Sequence, residues 1–391
     1  IVGRLYFMIE IKNGRIVTPT EVVEGKSLLI EGDSVYDICE FHGKADRVIN
    51  AHGRYVMPGF IDVHADKIEK VINPRPTAVF DFELGLKETE KELLQQGITT
   101  IYHSFSLYKG LAFGQCLLRT KDNVKKMADL IADLHDRDHL IHHRCHLRLE
   151  IDNLEAYDIA KEMIQKNLVS EISFMDHTPG QGQYKDLEIY RKAIDDSRGE
   201  SFEEIMEHHK NKDTLTFGQL QELAQLAHSK NITVASHDDD SVEKLELNKT
   251  LGVDISEFPI TIEVAKEAKK RGFYTVVGAP NILLGGSHSG NMSAAEAILN
   301  DCADILCSDY YPQALLHSIF IMHHKYGISL PEMVNKVSLN PAKATRIDNE
   351  YGSLEKGKKA DVLIVDEIDG YSVITHVMVD GRTTSRVEYR R

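Results

Sequence analysis

Histidine and carboxylate residues recur at one kind of position along this sequence. His64 and Asp66 end the segment MPGFIDVHAD, which has the pattern of a β-strand. Residues i and i+2 of a strand point to the same side, so both side chains can reach one metal ion. The same residue types end other predicted strands, at Glu150, Asp176, His177, His237, Asp238, Asp239 and Asp309.

This recurrence has a chemical reason. Clustered carboxylates repel one another, and imidazoles are costly to bury without partners. A pair of divalent cations resolves both problems, because carboxylate and imidazole bind Zn²⁺ at about 2.0–2.2 Å and one carboxylate can bridge two ions. The pattern therefore predicts a two-metal centre and hydrolysis by a metal-activated hydroxide.

Strands that alternate with helix-like stretches must bring these residues together. The predicted strands are 56–66, 98–105, 140–150, 169–178, 232–239, 253–260, 273–281 and 303–310. Alternation of this kind is typical of parallel βα units, and eight units fit a (β/α)₈ TIM barrel. All strands of such a barrel end at one face, where active sites are built.

Both ends of the chain read differently, as short strands separated by turns. We expect residues 1–55 and 347–391 to form a small β-sandwich beside a barrel of residues 56–346. The segment 179–215 is too long for an ordinary connection, which predicts a helical insertion over the mouth that could serve as a lid.

Composition narrows the function classes. The net charge of −15 argues against a broad nucleic-acid surface, although a metal site can still attract a small anion. We find no apolar run long enough to span a membrane and no signal-peptide pattern. The five cysteines form no C-x-x-C pair, which favours reduced thiols and a cytoplasmic location.

Candidate phosphate contacts follow the predicted strands. SHSGN precedes a helix-like stretch, where backbone N–H groups suit a phosphate, and a flexible capped loop explains it equally well. Arg75, in NPRP, suits a bidentate phosphate contact or an ordinary surface position. Asp238 fits support of His237 or binding of ribose hydroxyls. The substrate-binding candidates are therefore Arg75, Asp238, Ser287, His288, Ser289 and Asn291.

Other histidines and lysines permit two interpretations each. The segment 135–146, HDRDHLIHHRCH, is rich enough in histidine for another metal site, but a solvated helix end running into a buried strand explains it more simply. His146 shares the side of Glu150 by strand parity, and core packing is the simpler role. Lys70 could steer an anion or remain solvated.

Several motifs together resemble the amidohydrolase superfamily: PGFIDVHAD, GITT, a later acidic residue, two histidines, a final SD and the tail GSLEKGKKADVLIVD. Within it, the branch of α-D-ribose 1-methylphosphonate 5-triphosphate diphosphatases is similar over nearly the whole chain. The motifs that carry this closer resemblance are HADKIEKVINPRP, HLRLE, MDHTPGQGQY, SHDD, GAPNILLGGSHSGN and LCSDYYP.

The resemblance implies a ligand set. One metal ion would bind His64, Asp66 and Asp309, and Glu150 would bridge to a second ion. His177 and His237 would complete the second site, with Asp309 also acting as general base. Zn²⁺ is the expected ion, with Mn²⁺ or Fe²⁺ as alternatives. This sequence has Asp66 where the superfamily usually has the second histidine of H-x-H.

The resemblance also implies a substrate and a reaction. A small anionic substrate, the triphosphorylated ribose phosphonate, would yield the monophosphate and diphosphate. The alternative is a C–N hydrolase of the same superfamily, a cyclic amidase or deaminase. A non-catalytic assembly protein would be expected to lose ligands, whereas all six positions hold competent side chains. We also expect a homo-oligomer, with a dimer as the simplest form.

Overall fold

The computed structural model describes residues 7–41, 43–75, 78–107, 117–178, 213–286 and 291–390, together with residues 188, 191 and 206. Nearly all of the predicted insertion at 179–215 therefore lies outside the described residues. The chain begins with short strands, as predicted: β1 (Met8–Lys12), β2 (Arg15–Val17), β3 (Val22–Val23), β4 (Ser27–Glu31), β5 (Ser34–Cys39), β6 (Arg47–Asn50) and β7 (Tyr55–Pro58).

Eight parallel strands then form one sheet in which each strand pairs with the next along the chain. They are β8 (Phe60–Ala65), β9 (Ile98–Leu107), β10 (His142–Glu150), β11 (Glu171–Met175), β12 (Thr233–His237), β13 (Ile255–Glu257), β14 (Tyr274–Gly278) and β15 (Ile305–Cys307). Hydrogen bonds from Asp309 N to His64 O (3.0 Å) and from Asp66 N to Asp309 O (2.9 Å) bring the last strand beside the first. The predicted barrel is confirmed, and each of its eight strands overlaps a predicted one.

Helices follow most of the barrel strands. Those of the described residues are α1 (Lys67–Ile72), α2 (Phe82–Gln95), α3 (Lys121–Leu134), α4 (Ala156–Gln165), α5 (Phe217–Ser229), α6 (Val242–Leu251), α7 (Ile262–Lys270), α8 (Pro280–Leu284), α9 (Ala294–Leu299), α10 (Ala314–Tyr326), α11 (Leu330–Asn335) and α12 (Leu339–Ala344). At α7 the Thr261 side chain accepts a hydrogen bond from Val264 N, and Gly272 follows the helix at φ 82°. Both features are ordinary helix-end signals.

The first predicted barrel strand, 56–66, is divided between two sheets. Tyr55–Pro58 pairs with strands outside the barrel, whereas Phe60–Ala65 is the first barrel strand. Gly59 separates the two, because its N–H bonds to Asp361 O while Phe60 N bonds to Gly97 O. The expectation of one continuous strand was therefore wrong at this point.

The two ends of the chain combine, as predicted. The last strands, β16 (Val362–Ile368), β17 (Tyr371–Val379) and β18 (Arg382–Arg386), form a six-stranded sheet in the order β18-β17-β16-β7-β2-β3. A four-stranded sheet in the order β5-β4-β1-β6 faces it. Buried side chains such as Ile11 and Leu28 from one sheet and Val56 and Ile364 from the other form a shared apolar core. Among the described residues, no helix combines the length and apolar character needed to cross a membrane.

Candidate metal centre

Three predicted ligands converge at the carboxyl ends of the first and last barrel strands. His64 and Asp66 come from the end of β8 and the residue after it, and Asp309 follows β15. One possible ligand atom from each lies within 4.8 Å of those of the other two. His64 is almost fully buried, whereas Asp66 and Asp309 are partly exposed. This group can chelate one cation from a rigid support.

A second group lies beside the first and contains His177, His237 and Asp238. His237 Nδ1 lies 3.0 Å from Asp238 Oδ2, and His177 Nε2 lies 3.8 Å from the same oxygen. Glu150 ends β10, the third barrel strand, and its Oε1 contacts His177 Nδ1 directly. Asp238 therefore lies among the possible ligands, although the sequence suggested it for substrate contact or support of His237.

Arg148 lies between the two groups. Its Nη1 is 3.2 Å from Asp66 Oδ1, and its Nη2 is 3.4 Å from His237 Nε2. Burial alone would raise the pKa of Asp66, but the Arg148 and His64 charges lower it below its usual value. Arg148 is two residues before Glu150 and so faces the same side of β10. Sequence reasoning missed it, although strand parity could have found it.

Glu257, at the end of β13, supports the first group from below. His64 Nδ1 donates a hydrogen bond to Glu257 Oε1 (2.7 Å), and Ser173 Oγ donates to Glu257 Oε2 (2.6 Å). Burial opposes ionisation, yet the nearby His64 and His146 hold the pKa of this carboxyl well below its usual range. An ionised Glu257 fixes the tautomer of His64 and leaves Nε2 available as a ligand. No sequence pattern singled out this residue.

Buried polar groups form the floor beneath the ligands. His146 Nδ1 lies 3.1 Å from Val63 O and its Nε2 contacts Ser173 Oγ, while burial lowers the pKa of the imidazole to about 3. Asp62 accepts a hydrogen bond from Ser308 N (3.0 Å), and burial raises its pKa to about 6. His146 packs edge-on against His64 at 5.2 Å between ring centroids, so it occupies the barrel core.

Strained backbone occurs where three strands end at this site. Asp238, Phe258 and Asp309 adopt φ values of 52°, 55° and 55°, in the left-handed region that non-glycine residues rarely occupy. Such residues persist only where the surrounding structure enforces them, and they cluster at functional sites. Here they turn the chain sharply after β12, β13 and near β15, which directs the side chains over the barrel mouth.

A cavity of about 370 Å³ opens above both groups. Three cationic residues line it together with the predicted ligands His64, Asp66, His237 and Asp309. These cations are Lys70, Arg119 and Arg148. Phe258, Pro259 and Met292 supply apolar surface. The cavity can therefore accept an anion next to the carboxylate and histidine groups.

The predicted substrate-binding residues are found in different places. Asp238 and Asn291 line the cavity. Arg75 is exposed and does not line it; its backbone oxygen accepts hydrogen bonds from Asn73 Nδ2 (2.7 Å) and Ala78 N (2.9 Å). Ser287, His288 and Ser289 lie outside the described residues. The described structure also brings the guanidinium group of Arg119 to the cavity, from the segment before α3. No local sequence pattern identified this residue.

Comparison with known proteins assigns the family. The profile of the Amidohydrolase family matches residues 55–384. The chain belongs to the amidohydrolase family. It is a hydrolase, and members of this superfamily generally bind divalent metal ions.

Relatives of this amidohydrolase differ in what they act on. It is 30% identical over 379 residues to the α-D-ribose 1-methylphosphonate 5-triphosphate diphosphatase of Escherichia coli, covering 95% of this chain and 99% of that protein. It is 29% identical to adenine deaminase 1 of Desulfotalea psychrophila, but over only 83 residues, or 14% of that protein. The N-acetylglucosamine-6-phosphate deacetylase of Pasteurella multocida has the same fold, with a TM-score of 0.66, 13% identity and coverage of 96% and 99%.

The donor set of this amidohydrolase fits divalent cations. His237 Nδ1 and Asp238 Oδ2 are both buried and lie 3.0 Å apart, and neither makes a hydrogen bond to any other group within the described part of the chain. Buried polar atoms are normally satisfied, so a pair of atoms with available lone pairs suits a cation. Imidazole and carboxylate ligands suit Zn²⁺, Mn²⁺ and Fe²⁺ alike.

Proposed function

We propose that this amidohydrolase hydrolyses a phosphoanhydride bond of a small ribosyl triphosphate. The proposed reaction converts α-D-ribose 1-methylphosphonate 5-triphosphate to its 5-phosphate and diphosphate. The observation that carries the proposal is a cavity lined by three positively charged side chains beside the carboxylate and histidine groups. The full-length similarity to the Escherichia coli diphosphatase supports the same substrate class.

The three cationic side chains, Lys70, Arg119 and Arg148, suit a polyphosphate chain. Lys70 Nζ lies 5.2 Å from the Tyr310 ring centroid, which holds the ammonium group at the cavity wall. Arg119 Nη2 donates to Glu69 Oε2 (2.9 Å), which orients the guanidinium beside the cavity. A neutral cyclic amide would need no such set of cations. We further propose that Ser287, His288, Ser289 and Asn291 contact phosphate oxygens.

We propose that two divalent ions, Zn²⁺ in the first instance, bind this centre. His64, Asp66 and Asp309 would hold one ion, His177 and His237 the other, with Glu150 as the bridging carboxylate. Asp238 is close enough to serve the second ion as well. When bound, the ions would lower the pKa of water and neutralise negative charge on phosphoryl oxygens.

The protein's own residues would transfer the proton, orient a metal ligand and bind the phosphate groups. Asp309 would accept the proton of the attacking water as general base. Glu257 would keep His64 in one tautomer and one orientation, since it accepts the hydrogen bond from Nδ1. Lys70, Arg119 and Arg148 would bind the phosphate groups and hold the triphosphate in the orientation that in-line displacement requires. Diphosphate is a good leaving group and needs little protonation.

Diphosphate release is the test. The metal-loaded enzyme is incubated with a ribosyl or nucleoside triphosphate and, in parallel, with cyclic amides and adenine, and products are followed by ³¹P NMR and chromatography. We expect diphosphate from the triphosphate and loss of this activity in Glu150→Gln. The matched control is Glu162→Gln, which alters a partly exposed carboxylate on α4 that pairs with Lys125 and Lys166.

The products distinguish a phosphoanhydride hydrolase from a C–N hydrolase. Hydrolysis of an amide or amidine without diphosphate release would replace the proposal with a C–N hydrolase. Equal activity of Glu150→Gln and the wild-type enzyme would reject the bridging role of Glu150.

We propose in addition a cytoplasmic homodimer, and light scattering of the purified enzyme tests the dimer.

A further inference from the structure

A third group of possible ligands lies at the opposite end of the barrel. His142 belongs to the histidine-rich segment 135–146 and begins β10, far from the mouth that Glu150 reaches. Asp361 precedes β16, and Asp380 lies in the turn between β17 and β18. His142 Nε2 lies 3.4 Å from Asp361 Oδ2 and 3.9 Å from Asp380 Oδ1. The barrel and the sandwich therefore each contribute to one cluster.

The three facing atoms are buried and unsatisfied. His142 and Asp361 are each 7% exposed. Within the described ranges, His142 Nε2, Asp361 Oδ2 and Asp380 Oδ1 have no hydrogen-bond partner. Asp361 uses its other oxygen to accept a hydrogen bond from Asp380 N (3.0 Å). Leaving three buried atoms with only ion-pair contacts to one another would be costly, so their convergence suits a bound cation.

The spacing of these atoms fits a metal ion. Ligand atoms bound tetrahedrally to Zn²⁺ at about 2.1 Å lie about 3.4 Å apart. The distance from His142 Nε2 to Asp361 Oδ2 has this value, and that to Asp380 Oδ1 exceeds it by about half an ångström. The Asp380 side chain is 35% exposed, so an ion can enter and water can complete its coordination.

We propose that His142, Asp361 and Asp380 bind a divalent cation, with Zn²⁺ as the preferred ion, that links the barrel to the sandwich. One imidazole and two carboxylates suit a first-row divalent metal. The site differs from the candidate metal centre because it lies at the amino end of the barrel strands. Since the ion would bind the folded chain only, it would stabilise the junction rather than take part in hydrolysis.

The competing explanation is an ion pair without metal. Burial opposes protonation of His142, but the Asp361 and Asp380 carboxylates raise its pKa, and Arg144 lowers it in part. Lys359 Nζ also lies 3.7 Å from Asp380 Oδ1, although it donates its hydrogen bond to Asp33 (2.6 Å). An ion pair predicts no bound metal at the junction, so metal stoichiometry separates the two explanations.

Asp380→Asn tests the site with the least risk to folding, because Asp380 lies in a partly exposed turn. Asp366→Asn is the matched control, since Asp366 is a carboxylate of the same sheet that pairs with Arg54 instead. Chelator-treated full-length proteins are titrated with Zn²⁺, and bound zinc per chain and the melting temperature are measured. We expect Asp380→Asn to bind one zinc ion fewer than the wild type, with a smaller zinc-dependent rise in melting temperature.

Asp366→Asn should match the wild type in zinc content. Equal zinc content and equal melting shifts in wild type and Asp380→Asn would overturn the proposal in favour of the ion pair. Wild-type crystals grown with stoichiometric Zn²⁺ provide a test without any variant. Anomalous density between His142 and Asp361 is expected, and its absence in crystals that show zinc at the barrel mouth would also overturn the proposal.

Discussion

Glu257 acts on the candidate metal centre through another residue. Its carboxylate accepts a hydrogen bond from His64 Nδ1 at 2.7 Å and is fully buried. We expect Glu257→Gln to lower metal affinity or activity by about 10–100-fold, the usual cost of removing a partner that orients a ligand. Metal content per chain and the rate of diphosphate release measure the effect.

Glu171→Gln is the matched control, because Glu171 is a fully buried glutamate of the same barrel interior that makes no hydrogen bond to His64. Its metal content should equal that of the wild type. If both variants lose metal equally, general disturbance of the interior explains the loss, and the orienting role of Glu257 is wrong.

Glu171 also makes stability depend on pH. Burial, followed by the charges of Glu257 and Asp254, raises the pKa of this carboxyl well above 4.5. A carboxyl whose pKa is raised by folding contributes stability below its unfolded pKa, and this contribution is lost as the pH rises through the folded pKa. Glu171→Gln should therefore gain stability relative to the wild type as the pH rises from about 4.5.

Urea unfolding of both proteins at pH 5 and pH 8 measures this difference. A difference in unfolding free energy that is the same at both pH values would mean that Glu171 is already ionised in the folded protein.

At the scale of elements, Gly59 sets the position of the first barrel strand. A Cβ atom on Gly59 would overlap the buried side chain of Thr99, with Thr99 Cβ only 2.9 Å away. We expect Gly59→Ala to destabilise the protein by about 1–3 kcal/mol, because an overpacked interior must shift. Since β8 carries His64, metal affinity should fall as well.

Gly218→Ala is the control for Gly59→Ala. Gly218 lies in the first turn of α5, and a Cβ atom added there has no neighbouring atom within 4 Å outside the helix backbone. Alanine should be neutral or stabilise that helix by up to about 1 kcal/mol. Chemical denaturation of both variants decides the matter. Equal stability of Gly59→Ala and the wild type would show that the strand can move without cost.

The sequence predicted elements better than their division between sheets. Period-two and helix-like patterns located the eight barrel strands, and strand parity grouped His64 with Asp66. Asp309 joined this group only through the family resemblance, and the structure places it beside them. The break at Gly59 escaped prediction because both halves of the segment are buried and read as one strand. Arg119 escaped it because its place at the cavity depends on the packing of distant segments, which has no local signature.

The whole molecule depends on β16, which is shared between two cores. Leu363 and Val365 pack with the barrel residues Phe60 and Ile98, whereas Val362 and Ile364 face the core between the two sheets. All four of these residues are fully buried. Alternate side chains of a strand point to opposite faces, so one strand can serve both cores.

We therefore expect a chain that ends at Lys359 to lose the barrel as well as the sandwich. Removal of β16 would expose both apolar faces and leave the backbone of Tyr55–Pro58 without one of its two partner strands. Circular dichroism and limited proteolysis should show no cooperative thermal transition. A chain that ends at Val387 is the control, because it keeps all three strands and loses only the last four residues and the Arg386–Glu388 ion pair; Glu388, Tyr389 and Arg390 are exposed. If the shorter chain still melts cooperatively and retains hydrolase activity, the barrel folds independently of the sandwich, and β16 is dispensable for the candidate metal centre.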